Sequence, residues 1–552
     1  MNEAYDYIVV GAGSAGCVMA AQLSEDPDIH VLLIEEGSDE PSFLVDMPKG
    51  FGVLLTKPER AHFHPLTVEP NSTHRVQNIW ARGKMLGGSS AINGMVWIRG
   101  QPEDYNRIAE YGNPGWSWTD VAPYFKRLEN HALGADDLRG TGGPITITDN
   151  PNKNVLADAF IAAGRQLGLP LKRDQNRLEQ EGIGYLQWNI DHKGKRVSAA
   201  RGFLDPIKGR ANLKIESRVR TDRVLIKQGR AVGVTGVRDG SAVTFHTRGE
   251  VILCAGGLGS PRILQLSGIG PTAVLQAAGI PVVVDSPRIG YNLREHSLMA
   301  LNFRIRDWRY SQNRSYTPPR LFGNLVRYLA TGKGPLAWGS HELAAFVRAD
   351  EQSSRPDTQI MFGSFSFDRV EETVAFEKDP GIHVFAYPLR PTSEGSILVT
   401  SNDPEVPPAI RPNYFDTEYD RRISVASIRY IRRLMAQAPL RDFLVGETER
   451  TAGAQTDEEI LAAFRRYGEA GYHACGTVAM GVGQPLDERL RVRGIDGLRV
   501  MDCSVYPEML SGNTNAPTMA LSWRAADLIL QDRRAGQTNP VRTTATEQGT
   551  AS

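Results

Sequence analysis

Residues 6–36 read DYIVVGAGSAGCVMAAQLSEDPDIHVLLIEE, and this stretch decides the fold. An apolar strand, Tyr7 to Val10, runs into Gly11-Ala-Gly13-Ser14-Ala15-Gly16. A helix-like run follows. A second apolar strand, Val31 to Ile34, ends in Glu35-Glu36. This is a βαβ unit with a G-x-G-x-x-G turn and an acidic residue 24 positions after the first glycine. Gly11 makes the tight turn. Gly13 has no Cβ, so a pyrophosphate can approach the backbone, and Gly16 lets the helix lie close on the strand. The helix N-terminus at Ser14 and Ala15 offers free N–H groups and a positive dipole end to phosphates. Glu35 can accept hydrogen bonds from both ribose hydroxyls and would repel a 2′-phosphate. The unit therefore predicts a bound dinucleotide, and it suits FAD as well as NAD.

The rest of the chain bounds the answer. A length of 552 residues suggests two or three domains. Lys+Arg and Asp+Glu are both 63, so no bulk field favours nucleic acid or an anionic membrane. The four cysteines, Cys17, Cys254, Cys475 and Cys503, form no C-x-x-C pair and read as small core residues in a reducing compartment. MNEAYDYIVV has no basic n-region, and no apolar run approaches the length of a membrane span. The expected location is the cytoplasm. His62-x-His64 has metal-like spacing but no third ligand nearby, so no metal is expected.

Glycine-rich turns recur far down the chain. They occur in RGKMLGGSSAINGMVWIRG (82–100), in EVILCAGGLGSPRILQLSGIGP (250–271) and around residues 512–518. Several such loops can wrap one long, retained ligand. Residues 212–238 alternate apolar and polar around a Gln-Gly turn, which predicts a hairpin. Residues 300–465 have a different texture, richer in Arg, Pro and aromatics. They contain strand-like HVFAYPLR and SILVTS and a helix over 419–437. Ile428, Ile431 and Met435 mark its buried face, and Arg421, Arg422, Arg429, Arg432 and Arg433 its wet face. Residues 1–155, 197–300 and 465–533 are expected to form a dinucleotide domain. Residues 156–196 and 301–464 are expected to form a substrate domain, and 534–552 a disordered tail.

These motifs together resemble the glucose–methanol–choline (GMC) family of FAD-dependent oxidoreductases. The resemblance rests on Gly83 … Gly87-Gly88-Ser89-Ser90 … Asn93 with Trp97 and Gly100, and on Gly256-Gly257-Leu-Gly259-Ser260-Pro261. It also rests on Gly290-Tyr-Asn292-Leu293-Arg-Glu-His296 and on His473-Ala-Cys-Gly476-Thr477 … Asp502 … Asn513-Thr-Asn515-Ala-Pro517-Thr518. It covers nearly all of residues 5–532. It implies an α/β fold: a Rossmann-like FAD domain built from separated segments, and a substrate domain with an antiparallel sheet covered by helices.

It also implies site residues. Glu35, Glu36, Arg82, Gly83, Leu86, Gly88, Asn93, Gly94, Met95, Val96, Thr221, Asp502, Pro517 and Thr518 join the Gly11–Gly16 turn around FAD. Some members tether FAD through a His where this chain has Ile92, so the cofactor is expected to be non-covalent. The pair carried over for catalysis is His473 as base and Asn513 as its hydrogen-bond partner, with Asn515 expected to help hold the loop. His296 reads as structural. His341 and Glu342 fall in the substrate region, where choline-oxidising relatives place a carboxylate.

The resemblance implies oxidation of an alcohol to an aldehyde or ketone. The hydroxyl proton goes to an imidazole and the α-hydride to flavin N5. Electrons pass on to O2 or a quinone-type acceptor. Trp308, Tyr310, Tyr316, Phe322, Tyr328 and Trp338 favour a primary, aromatic or medium apolar alcohol. The alternatives are a choline- or polyol-type dehydrogenase, a hydroxynitrile lyase-like enzyme on the same scaffold, a non-catalytic flavin binder and an NAD-dependent dehydrogenase.

Overall fold

The computed structural model describes residues 5–67, 79–370 and 373–538. Two seven-stranded sheets organise them. In the first, the strands Leu213–Glu216, Val31–Ile34, Tyr5–Val10 and Ser241–Leu253 lie side by side, followed by Arg230–Arg238 and Val219–Lys227. Leu498–Val500 also pairs with Ser241–Leu253. The centre is parallel, with Tyr7 opposite Val31 and Ile8 opposite Val251. Tyr5–Val10 and Val31–Ile34 are buried throughout, as parallel strands covered on both faces must be. The expected hairpin closes on Gln228-Gly229. Both residues have positive φ, which a two-residue turn between twisted strands needs.

The helix Ser14–Leu23 lies tight on the first strand because a Cβ on Gly16 would sit 1.8 Å from the Gly11 carbonyl oxygen. Its other side packs against the long helix Asn515–Thr538. That helix runs on past residue 534, the expected start of a disordered tail. Residues 539–552 lie outside the described residues. Three of the free cysteines are buried and Cys503 is half-buried.

The second sheet is antiparallel. Its order is Leu444–Glu447, Ser297–Ile305, Gly381–Pro388, Thr358–Gly363, Leu343–Val347 and Gly182–Tyr185. Glu469–Ala470 pairs with Ser297–Ile305, so the chain leaves this sheet only after residue 470. Period-two alternation gives the sheet two working faces. Ile382, Val384 and Ala386, with Ile360 and Phe362, pack under the helices Val155–Gln166, Glu418–Met435 and Asp457–Tyr467. Phe385, Tyr387 and Met361 face the other way, against Met95, Val96 and Ile98 of the glycine-rich loop. The helix expected over 419–437 spans Glu418–Met435, with Ile428, Ile431 and Met435 buried. Arg432 departs from its expected wet face. It forms a two-pronged ion pair with Glu447 and donates to the Thr451 and Ala454 carbonyls.

Candidate active site

A cavity of about 490 Å³ lies between the two sheets. Its far end is built by the first sheet. Gly11, Gly13, Ser14 and Ala15 line it, as do Glu35, Glu36 and Thr221. Glu35 is buried. Its carboxylate accepts from the Ala12 and Gly37 amides at 2.9 and 2.8 Å, and burial raises its pKa to about 7. Glu36 pairs with His62 Nε2 at 3.1 Å and Lys84 at 3.6 Å.

Two glycine loops meet along the cavity wall. A Cβ on Gly88 would stand 2.7 Å from the Gly13 Cα, so only a bare backbone fits there. Ser14 Oγ donates to Asn515 Oδ1 at 2.7 Å, which ties the first helix to the last. Asp502 lines the same stretch. Its carboxylate accepts from the Gly256 amide and from Ser260 Oγ. Arg82, Gly83, Asn93, Gly94, Met95, Val96 and Thr518 complete this wall. Ile92, at the tether position, also lines it.

These surroundings fit FAD. Thr221 Oγ1 at one end and Asn515 Nδ2 midway are buried and have no hydrogen-bond partner. Buried polar atoms are seldom left so, and a dinucleotide supplies ribose, base and phosphate partners. Three expected residues stand away from the cavity. Leu86 is half-buried against the core of the first sheet. Pro517 is buried in the first turn of the last helix. Gly16 acts through packing alone.

The near end carries His473 and Asn513. His473 and Asn513 meet, with Asn513 Nδ2 3.2 Å from His473 Nε2. Asn513 Oδ1 accepts from Gln359 Nε2 at 3.3 Å, and Gln359 Oε1 accepts from the Tyr387 hydroxyl at 2.6 Å. On its other side, His473 Nδ1 is 2.8 Å from His296 Nδ1, and His296 Nε2 is 2.8 Å from the Leu389 carbonyl. His296 also stacks on Tyr387, with ring centroids 4.4 Å apart.

A carbonyl can only accept, so neutral His296 carries its proton on Nε2. Its Nδ1 must then accept from His473 Nδ1–H, which leaves the lone pair of His473 on Nε2, beside Asn513. Burial, with the Arg82 cation nearby, holds the His473 pKa well below its ordinary value. Burial lowers His296 to about 4. Both rings are therefore neutral at neutral pH. Glu295 Oε1 accepts from the His473 backbone amide at 2.7 Å and fixes the loop.

The near end is further walled by His341, Met361, Phe367, His383, Phe385 and Tyr387. Both ring nitrogens of His341 are buried without a partner. Glu342 does not line the cavity. One carboxylate oxygen accepts from Asn152 and Gln312 and the other from the Ser364 amide, so it braces the wall from behind. Nor do Trp308, Tyr310, Tyr316, Phe322, Tyr328 or Trp338 line the cavity. Trp308, Tyr310 and Phe322 are exposed.

Three positioning residues are not evident from sequence. His296 reads as structural there, yet it sets the tautomer of His473. Arg196, in an unremarkable stretch, donates to the Ser90 and Asn93 carbonyls and to Asn93 Oδ1. It is buried and braces the loop that carries Asn93 to Val96. Lys49 donates to the Gly339 and Ser340 carbonyls and holds the turn before His341. Only the position of His296 in the NLREH block hints at any of these.

Comparison with known proteins agrees with this architecture. The GMC oxidoreductase N-terminal model matches residues 5–298 and the C-terminal model residues 391–522. The chain is 37% identical to an oxygen-dependent choline dehydrogenase of Photobacterium profundum, over 96% of this chain and 94% of that one. It is 36% identical to the mitochondrial choline dehydrogenase of Homo sapiens, over 96% and 90%. The pyridoxine 4-oxidase structure from Mesorbium loti superposes with a TM-score of 0.85 at 28% identity, covering 96% of this chain and 99% of that one. A formate oxidase gives 0.88 at 25%, covering 97% and 99%. The chain belongs to the GMC oxidoreductase family and is an FAD-dependent enzyme acting on CH–OH groups.

Proposed function

We propose that the protein oxidises a primary alcohol to the aldehyde, with His473 Nε2 as proton acceptor and Asn513 Nδ2 as the donor that steadies the alkoxide. The observation that carries this is the hydrogen-bonded run from the Leu389 carbonyl through His296 to His473. With that run, the lone pair of His473 falls on Nε2 at the cavity wall, where Asn513 Nδ2 donates to it at 3.2 Å. The substrate hydroxyl takes a place between them, donating to Nε2 and accepting from Nδ2. Removal of its proton prepares loss of the α-hydride. Bound FAD supplies the two-electron acceptor for that hydride. Gly11 to Ala15, Glu35 and Thr221 hold the adenosine and pyrophosphate half, and Gly88 to Val96 the flavin half. Ile92 cannot form the histidyl bond, so acid precipitation releases all yellow colour to the supernatant. Colour kept in the pellet contradicts this.

The substrate class follows from the near-end wall. Phe367, Phe385, Tyr387 and Met361 suit an aromatic or medium apolar body. The two unpaired nitrogens of His341 call for a polar atom on it. Burial, with His383 and Lys49 nearby, holds His341 neutral, so it suits an uncharged substituent. A second reading, choline, is favoured by the 36–37% identity to choline dehydrogenases and by the aromatic walls, which also suit a quaternary ammonium. Glu469, on the cavity wall, is the nearby carboxylate for that reading. Steady-state kinetics decide between them. The first reading expects kcat/KM for a hydroxy-substituted benzyl alcohol at least about tenfold above that for choline. The reverse order establishes the second.

A further inference from the structure

Asn513 meets His473 and Gln359 through its side chain. The chain just before it is held by groups that lie outside the cavity. Ser511, two residues earlier, is fully buried, and each of its polar groups has a partner. Its amide donates to Asp104 Oδ2 at 2.8 Å and its hydroxyl to Asp104 Oδ1 at 2.8 Å. Its carbonyl accepts from Gln180 Nε2 at 3.1 Å, and its hydroxyl oxygen accepts from the Arg390 guanidinium at 2.8 Å. Between Ser511 and Asn513 the chain passes Gly512. Its φ is 139°, and a Cβ there would stand 2.5 Å from Ile98 Cγ2. The turn has little room to shift, so the place of Ser511 sets the place of Asn513.

The groups around Ser511 come from distant parts of the chain. Gln101 and Asp104 begin the helix Pro102–Glu110. Gln101 donates to Gln180 Oε1 at 2.8 Å and accepts from Arg355 at 2.9 Å and from Arg390 at 3.4 Å. Arg355 also pairs with Asp104 at 2.9 Å, so it answers the Asp104 charge. Arg390 instead meets two neutral oxygens, Ser511 Oγ and Gln101 Oε1. A guanidinium holds its acceptors in a rigid planar fork, so it fixes direction as well as distance. Arg390 follows the strand Gly381–Pro388, whose end serves the other half of the catalytic pair. Tyr387 stacks on His296, and the Leu389 carbonyl meets His296 Nε2. Leu389 is held by its own amide, which donates to the Asp357 carbonyl at 2.7 Å. Two adjacent residues thus brace two branches. Leu389 acts through backbone towards His473, and Arg390 through its side chain towards Asn513.

We propose, on the reading of Asn513 as the donor to the alkoxide, that Arg390 is a positioning residue: through Ser511 it sets the place of Asn513 relative to His473 Nε2. Arg390, Ser511 and Asp104 do not line the cavity, so they act on its geometry and not by touching the substrate.

A double-mutant cycle of Arg390→Met with Asn513→Ala tests this, read by anaerobic stopped-flow reduction of the flavin-loaded enzyme. The reductant is a hydroxy-substituted benzyl alcohol or choline, whichever turns over faster. Arg390→Met alone should lower the limiting reduction rate about tenfold, with the apparent Kd for the alcohol changed less than about threefold and the flavin absorbance retained. In the Asn513→Ala enzyme the same substitution should cost less than about twofold, because the group it positions is gone. A general loosening of the fold would instead slow both backgrounds equally. Ser511→Ala removes the same contact with a smaller change, and it should give the same pattern even where Arg390→Met fails to fold. An equal loss in both backgrounds overturns the proposal, as does a wild-type rate in Arg390→Met or in Ser511→Ala. Reduction of Asn513→Ala itself at the wild-type rate overturns the reading of Asn513 and this proposal with it, so that arm tells the two failures apart.

Discussion

The two seven-stranded sheets reach the same cavity by different means. The first presents backbone. At Gly11, Gly13 and Gly88, bare Cα atoms form the wall, and close approach of backbone keeps side chains out at Gly11 and Gly88. The second presents side chains. Tyr387, Gln359, Met361 and Phe385 reach the site because strand alternation turns them to the cavity face while their neighbours pack under helices. A backbone site tolerates almost no added atom, whereas a side-chain site loses function by degrees. In the proposed function, the cofactor is held by the first sheet together with the 88–96 loop. Orientation of the proposed base belongs to a network that joins the second sheet to the loop before the helix Asn515–Thr538.

Substitutions can break this contrast, beginning with the largest effect. Gly88→Val places branched carbon against the Gly13 Cα. The purified protein should be colourless, since nothing there can yield except backbone. A yellow variant with full flavin would show that the two loops can part. Arg196→Met should come next. It leaves the Ser90 and Asn93 carbonyls without their buried donor, and thermal denaturation should show a loss of about 3 kcal/mol or more. An unchanged melting temperature would remove Arg196 from the account.

Within the side-chain network the losses should be graded. His296→Phe removes the acceptor that fixes the His473 tautomer, and flavin reduction should slow by about 10- to 100-fold with the flavin retained. Asn513→Ala should lower the rate less than loss of the base itself. Tyr387→Phe should cost least, about three- to tenfold, because it acts on Asn513 only through Gln359. A Tyr387→Phe loss as large as that of His296→Phe would mean that the Gln359 link matters as much as the tautomer of His473, since phenylalanine keeps the stacking on His296 and loses only the hydroxyl. The pH profile adds a signed test. Proton abstraction needs neutral His473, and its pKa is depressed. The rate should therefore be level near neutral pH and fall only on acidification, below the ordinary imidazole value of about 6.5.

The same contrast explains what can be read from the chain. Glycine spacing is local, so the βαβ turn, the four motif blocks and the Gln228-Gly229 hairpin are legible. His473 and Asn513 come with their block. The second sheet is legible as an antiparallel sheet with its HVFAYPLR strand, but what it brings to the site is not, because that depends on pairings between distant residues. His296 meets His473 across 177 positions and Gln359 meets Asn513 across 154. Composition misleads where it is used for position. The aromatics of 308–338 lie on a surface helix and its approaches, and the aromatic wall comes from Phe367, Phe385 and Tyr387 instead. Glu342 has the right residue type, but three hydrogen-bond donors hold its carboxylate behind the wall.

The central claim is that His473 Nε2 takes the substrate proton. Anaerobic stopped-flow reduction of the bound flavin by saturating alcohol tests it most directly, with wild type and His473→Ala compared across pH. The account predicts that His473→Ala keeps its flavin, is reduced at least roughly 100-fold more slowly, and loses the acid limb. Reduction of His473→Ala at the wild-type rate, with the same acid limb, would contradict it.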